Sequence, residues 1–430
     1  MKDNKKNTKG KIVKMNGSEE AAQRNEQLME NRKKRKKMVT LLVLLALVLS
    51  CAVVVYLRTL EYKSFKILEN SETDYENTAS YICFSENLLK YTPDGVSYID
   101  AKGNTVWTTG INMKIPVAVS SGDYAVVADL NGNTVCVFGA QGEISSLTMP
   151  YPISDIDVGQ QGAFAVVLES EKTNYINMYN RKGEIIYEMQ TTIDKSGYPL
   201  DITISDNGEK LFTSYAKIGS GVMENNLAAY NFGEVGQNTN ADRVVGGYKF
   251  DDQIFSKVEF VNNDTVVAFG TKSIQIYSMK EKPSLRDSIK FNEEIKSIFY
   301  SEDYIGVIQK EAESQTHLYK LRLFNLRGRE EFSEWIDFDY DYMFADKKEI
   351  IVSGGMNCMI LRRDGSIKYC GKLDGRIQSI VPIGRRLEYV VGYENKTQTI
   401  RLRASMPEVQ QQTVNKITQE TATGTDSVRK

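Results

Sequence analysis

The segment INMYNRKGEIIY (residues 176–187) places a short alternating apolar run, a polar turn with glycine, and a second alternating run one after another. A period of two sends successive side chains to opposite faces of a strand. A glycine in the turn supplies the positive φ that a tight hairpin requires. The same arrangement returns in VSYIDAKGNTVW at 96, VCVFGAQGEISS at 135, LRLFNLRGREEF at 321 and CMILRRDGSIKY at 358. Its turn glycines are Gly103, Gly142, Gly183, Gly328 and Gly365. Weaker copies stand at LAAYNFGEVG (227) and IQIYSMKEKPSL (274), and IRLRASMPEV (400) is a truncated last one. Intervals from roughly the high thirties to about fifty residues are those of a four-stranded β-propeller blade.

Each copy follows further strand-like runs, such as YAVVAD before VCVFG, FAVVLE before INMYN and EIIVSG before CMILR. Turn signals punctuate them, as in YTPDGVSY (91–98) and ISDNGEKL (204–211). The unit is therefore strand, strand, hairpin, strand. In ISDNGEKL the chain resembles the SPDGKKL turn of WD-repeat-like and quinoprotein-like propellers. More narrowly, EYKSFKIL, LLKYTPDGVSYIDAKGNTVW, SGYPLDITISDNGEKL, YNFGEVGQN and FVNNDTVVAFGTKSIQIYSMKEKP resemble an uncharacterised family of single-span, membrane-anchored propeller proteins of Gram-positive anaerobes. That resemblance covers roughly residues 57 to 403 and implies a fold without implying an activity. The Gly-His and Trp-Asp pairs of a true WD repeat are missing.

Eight third-strand signatures predict an all-β, eight-bladed propeller, with seven blades as the alternative. After IRLRA the chain has no fourth strand, whereas EYKSFKIL (61–68) alternates well enough to be the missing outer strand. Closure by that segment leaves no open sheet edge at the seam. The expected layout is a largely disordered basic cytoplasmic tail (1–37), a transmembrane helix (38–57), the propeller (58–404) and a disordered Gln/Thr-rich tail (405–430).

The apolar run from Met38 to Leu57 carries no charge, and twenty helical residues span about 30 Å of hydrocarbon. Arg32, Lys33, Lys34, Arg35, Lys36 and Lys37 abut its N-terminal side. The positive-inside rule then puts residues 1–37 in the cytoplasm and the large C-terminal part outside. Cys51, in LVLSCAVVVYLR, loosely suggests a lipobox, but the residues after it stay apolar and no small-residue cleavage site follows. An uncleaved anchor is the better reading. On that reading the ring starts only about three residues past Leu57, roughly 10 Å of extended chain, and sits close to the membrane.

The chain's net charge of −2 conceals opposed segments, because residues 1–37 hold thirteen Lys/Arg against five Asp/Glu. The remainder is acidic, which argues against nucleic-acid binding by the large domain. Lipid contact suits the basic run better. Cys83, Cys136, Cys358 and Cys370 show no C-x-x-C spacing and read as buried small hydrophobes, with a Cys358–Cys370 bridge across one hairpin as the alternative. Few disulfides in an exported chain fit a Gram-positive envelope.

His317 is the only histidine. A multi-histidine metal site is thereby excluded, and a Ser-His-Asp triad would hang on that one residue; a hairpin position is the plainer reading. In WIDFDYDYMF, Asp337, Asp339 and Asp341 alternate with aromatics, so a strand there would set three carboxylates on one face. They are weak candidates for calcium or a glycosidase pair, and a solvated strand or loop face is the default. DLNGNT (129–134) reads as a hairpin turn rather than a calcium loop. No phosphate, dinucleotide, zinc-protease or nucleophile-elbow motif occurs, and no cofactor is expected. The expected role is a non-catalytic binding or scaffold module of the cell envelope, with a protein or wall-polymer partner. The alternative is a carbohydrate-active or quinoprotein-like enzyme using acids at the central channel.

Overall fold

The computed structural model describes residues 17–72, 79–85, 87–100, 104–219, 221–311, 317–383, 387–393 and 396–404. They form two units, residues up to Leu60 and those from Glu61 onward. The second consists of eight four-stranded antiparallel sheets. Seven blades use consecutive strands. Blade 1, for example, runs Ser80–Phe84, Asn87–Tyr91, Gly95–Ile99 and Thr105–Gly110, from the innermost strand outward. The eighth takes its three inner strands from the C-terminal side (Ile377–Pro382, Glu388–Tyr393, Lys396–Arg403) and its outer strand, Ser64–Glu72, from the N-terminal side. This closing strand pairs antiparallel with Lys396–Arg403 from Ser64↔Arg403 to Glu72↔Lys396, with one bulge between Ile67 and Glu69. All eight third-strand signatures occupy third strands.

The burial pattern explains why the repeat reads as it does. Middle strands lie between two neighbouring blades, so Tyr124–Asp129, Thr265–Gly270 and Glu349–Gly354 are buried almost throughout. Outer strands have one wet face and alternate, as Thr105–Gly110 does. The signature turns are closed by side chains as well as by glycine. Asn180 Oδ1 accepts the N–H groups of Lys182 and Glu184 at 2.9 and 3.1 Å, and Asn325 Oδ1 those of Arg327 and Arg329 at 3.0 and 3.2 Å. Gly142, Gly183, Gly328 and Gly365 all have positive φ, from 70° to 127°, while Gly103 lies outside the described residues. At Gly183 a Cβ would also meet Leu147 at 2.7 Å, so the turn of blade 3 is seated on the outer strand of blade 2. DLNGNT is a hairpin turn, with Asn131 at φ 61° and Asp129 Oδ1 accepting the N–H groups of Lys114 and Ile115, each at 2.8 Å.

Antiparallel order also sorts the connections. Turns between first and second and between third and fourth strands lie at one end of the ring. Turns between second and third strands and the connections between blades lie at the other. The closing strand starts, at Ser64, beside the last residue of a third strand, and so at the first of these ends.

The structure corrects the sequence reading at four places. A helix, α1, spans Gly17–Thr59, so residues 17–37 continue the apolar helix where a disordered tail was expected. Residues 1–16 and 405–430 lie outside the described residues. The copy at LAAYNFGEVG carries a short helix, α2 (Glu234–Thr239), between its third and fourth strands. Cys358 pairs with Gly371 and Met359 with Cys370. One step of register puts the two thiols on opposite faces of the blade, so the alternative of a bridge is not realised and every cysteine is free; of the four expected to be buried, Cys136 and Cys358 are, Cys83 is half-buried, and Cys370, on an outer strand, is exposed. WIDFDYDYMF, finally, is not one strand. Glu330–Ile336 ends blade 6, Tyr342–Ala345 begins blade 7, and the three aspartates lie on the connection.

Candidate functional sites: channel carboxylates and the aspartate corner

The innermost strands of successive blades lie side by side around the central channel. In blades 3, 4 and 5 these are Ile153–Val158, Tyr198–Ile204 and Phe255–Asn262. Each has a register shift just before Asp155, Asp201 and Lys257, respectively. The shift brings equivalent side chains level with the next blade's backbone. Asp155 accepts the N–H of Ile202 at 3.0 Å and Asp157 that of Ile204 at 2.8 Å. One blade on, Asp201 accepts the N–H of Val258 at 2.7 Å and Thr203 Oγ1 that of Phe260 at 2.9 Å. These bonds staple blade 3 to 4 and blade 4 to 5 by the same two-rung device.

Lys257 is the cation of this cluster, 3.1 Å from Asp201 and 3.5 Å from Glu259. Burial raises Asp155 to about 6 and Glu259 to about 7, with Lys257 pulling both the other way. Asp157 and Asp201 are raised for the same reason, Asp201 well above the usual carboxylate range. Burial works against the Lys257 charge, but Glu259 and Asp201 outweigh it, and its pKa lies well above the ordinary value. Asp155 and Glu259 therefore take up protons at higher pH than ordinary carboxylates do. Sequence reading missed it, because ISDIDV, PLDITI and FSKVEF each look like ordinary strands. The readable signal was a polar pair, two residues apart, at the same place in three consecutive first strands.

The three aspartates singled out by sequence go separate ways. Asp337 Oδ1 lies 2.5 Å from His317 Nδ1, Asp339 accepts the Tyr319 hydroxyl at 2.7 Å, and Asp341 lies 3.8 Å from Arg376. His317 sits in the connection between the second and third strands of blade 6 and stacks on Trp335 at 4.7 Å. Among the described residues no three His, Cys, Asp or Glu side chains form a group able to hold a metal ion.

A ring of eight four-stranded blades, with its first strand built into its last blade, defines an eight-bladed β-propeller. The chain belongs to a family of unknown function (DUF5711), which matches residues 57–402. No curated protein matches. Among solved structures the chain is similar to BamB from Moraxella catarrhalis, at 10% identity and TM-score 0.47, over 79% of this chain and 100% of that one. It is also similar to the Pan2 WD40 domain of Neurospora crassa (8%, TM-score 0.43, 68% and 90%) and to Hsv2p of Kluyveromyces lactis (9%, TM-score 0.44, 69% and 97%).

Outside the ring, the residues of α1 from Met38 to Tyr56 whose side chains are described are exposed on every side, Leu41 at 70%. Among the described residues α1 is one helix long and apolar enough to cross a membrane, a property shared by anchors and signal sequences. Arg32 to Lys37 lie exposed on it, and Lys34 pairs with Glu30 one turn earlier at 3.0 Å.

Proposed function

We propose that the protein is a membrane-anchored, extracytoplasmic binding module: α1 remains as an uncleaved span with its basic end in the cytoplasm, and the propeller presents one end to a protein or wall-polymer partner. The observation that carries the non-catalytic part is the commitment of the channel carboxylates Asp155, Asp157 and Asp201 to backbone N–H groups of the adjoining blade. Carboxylates held that way fix the ring, and recognition falls to the loops that a rigid ring displays. The excess of Lys and Arg before the apolar run supports the orientation. Crosslinking in intact cells, followed by identification of partners, tests the binding role, and a reproducible partner is expected. Labelling of exposed Cys370 by a membrane-impermeant maleimide in intact cells tests the topology. Protection of Cys370 from label until lysis would refute it.

The raised carboxyl of Glu259 favours one second reading. A carboxyl with a pKa of about 7, like Glu259, suits a general acid at neutral pH. A propeller enzyme acting on envelope polysaccharide would lose turnover in Glu259→Gln while keeping its fold. Absence of any turnover on wall polysaccharide by the unmodified protein counts against it.

A further inference from the structure

Lys296 is the second residue of the innermost strand of blade 6, Ile295–Ser301, and its side chain is exposed. Its ammonium lies 3.9 Å from the centre of the Tyr319 ring and 4.2 Å from that of Tyr340. The two rings meet edge to face, 5.1 Å apart at 79°, and so make two walls of a corner. Both walls are fixed, because the Tyr319 hydroxyl donates to Asp339 at 2.7 Å and the Tyr340 hydroxyl bonds Ser297 Oγ at 2.8 Å. Aromatic faces are negative, and a cation within about 6 Å of two of them is attracted by both. Carboxylates surround the corner in sequence: Glu293 and Glu294 immediately precede the strand, and Asp339 and Asp341 flank Tyr340. They raise the local concentration of cations, against which Arg376 near Asp341 is a partial counterweight. The corner thus already holds an ammonium group, supplied by an exposed lysine on a flexible stem.

We propose that the Tyr319–Tyr340 corner is a binding site for a quaternary ammonium group of the choline kind, and that Lys296 fills it while the ligand is absent. This inference rests on the binding-module reading and names a ligand class for it. A primary amine gains little there, since Lys296 is a primary amine tethered at high effective concentration. A quaternary ammonium is the cation that aromatic cages recognise, and it displaces a lysine that is free to swing into water. Tyr319 is only 8% exposed, packed into the core of blades 6 and 7 with Lys296 across one face, so departure of the lysine opens that one face, on which the ligand stacks.

Choline chloride is titrated into the detergent-solubilised full-length chain at constant ionic strength, with sodium chloride as the control and NMR line broadening of the choline methyls as the readout. Lys296→Ala is expected to bind choline about fivefold tighter than the unmodified protein, and Lys296→Ala with Tyr340→Leu to lose about that factor again. Tyr340→Phe in the Lys296→Ala background keeps the ring face and is expected to keep binding, which separates loss of the wall from loss of the fold. Dihexanoyl phosphatidylcholine below its micelle concentration forms a second arm, because α1 would carry the chain into vesicles whatever the corner binds. Displacement of choline from the Lys296→Ala protein by this soluble lipid assigns a lipid headgroup as the source, and choline binding without displacement assigns a free ligand; both support the site. Equal choline binding by the unmodified and Lys296→Ala proteins, or by the Tyr340→Phe and Tyr340→Leu variants, overturns it. Partner crosslinking in cells is read separately, so failure of the corner and failure of the binding-module reading are distinguishable.

Discussion

Replacement of Asp201 by alanine should weaken the ring at the junction of blades 4 and 5. Asp201 is 8% exposed and holds both the N–H of Val258 and the ammonium of Lys257. Its removal leaves a buried N–H without an acceptor, which costs about 1–3 kcal/mol. Lys257 keeps Glu259 at 3.5 Å, so its loss falls below the 3–5 kcal/mol of a fully broken buried pair, and the total is about 3 kcal/mol. Over residues 64–403, an unfolding entropy of about 2.1 cal/mol/K per residue sums to roughly 0.7 kcal/mol/K, and the melting temperature drops by about 4 °C. Asp201→Asn keeps an acceptor for Val258 and relieves repulsion from Asp155, so calorimetry should find half that drop or less. A melting temperature for Asp201→Ala no lower than that of Asp201→Asn would falsify the staple.

The cluster also makes the ring pH-sensitive. Asp155 and Glu259 have folded pKa values raised to about 6 and about 7, so the folded state binds their protons more tightly. That stabilisation is complete below the unfolded values near 4 and fades as pH rises through 6 to 7. Melting temperature should fall between pH 5 and pH 8, and Glu259→Gln should flatten the slope. Gly354→Ala should disturb the corner from below, because a Cβ there would stand 2.1 Å from the Asp339 carbonyl oxygen and 2.6 Å from Tyr340 Cα. Overpacking of this kind costs about 1–3 kcal/mol, and displaced Tyr340 resonances would report it. Under oxidising conditions Cys358 and Cys370 should stay reduced; alkylation should modify exposed Cys370 quickly and Cys358, buried with its thiol pushed up by burial, only after unfolding. A mass two units lower for the joined peptides would show the register argument to be wrong.

The fold was legible because its defining element is local. A third strand, an Asn- or Asp-initiated turn and a glycine recur as contiguous text, and ring closure follows from a missing last strand and a spare first one. The functional surfaces were less legible for a geometric reason. Asp155, Asp201 and Lys257 are some fifty residues apart and become neighbours only when first strands stand side by side around an axis. In WIDFDYDYMF the alternation was real, but Ile336 and Tyr342 belong to different blades. The aspartates between them follow a connection rather than a pleat, and each meets a different partner. The helix Glu234–Thr239 is too short to show a helical period. Lys296 gave no signal at all, since its two tyrosine walls come from the third strand of its own blade and the connection to the next.

The closing strand has a mechanical consequence. It enters at one end of the ring and runs toward the other, lying along Lys396–Arg403 over its whole length. Tension applied through the chain ahead of Ser64, and resisted at the opposite end of the ring, draws the strand lengthwise past its partner. Its rungs are then loaded together in shear and do not peel open singly, so the seam that closes the ring is oriented to bear a pull along the axis.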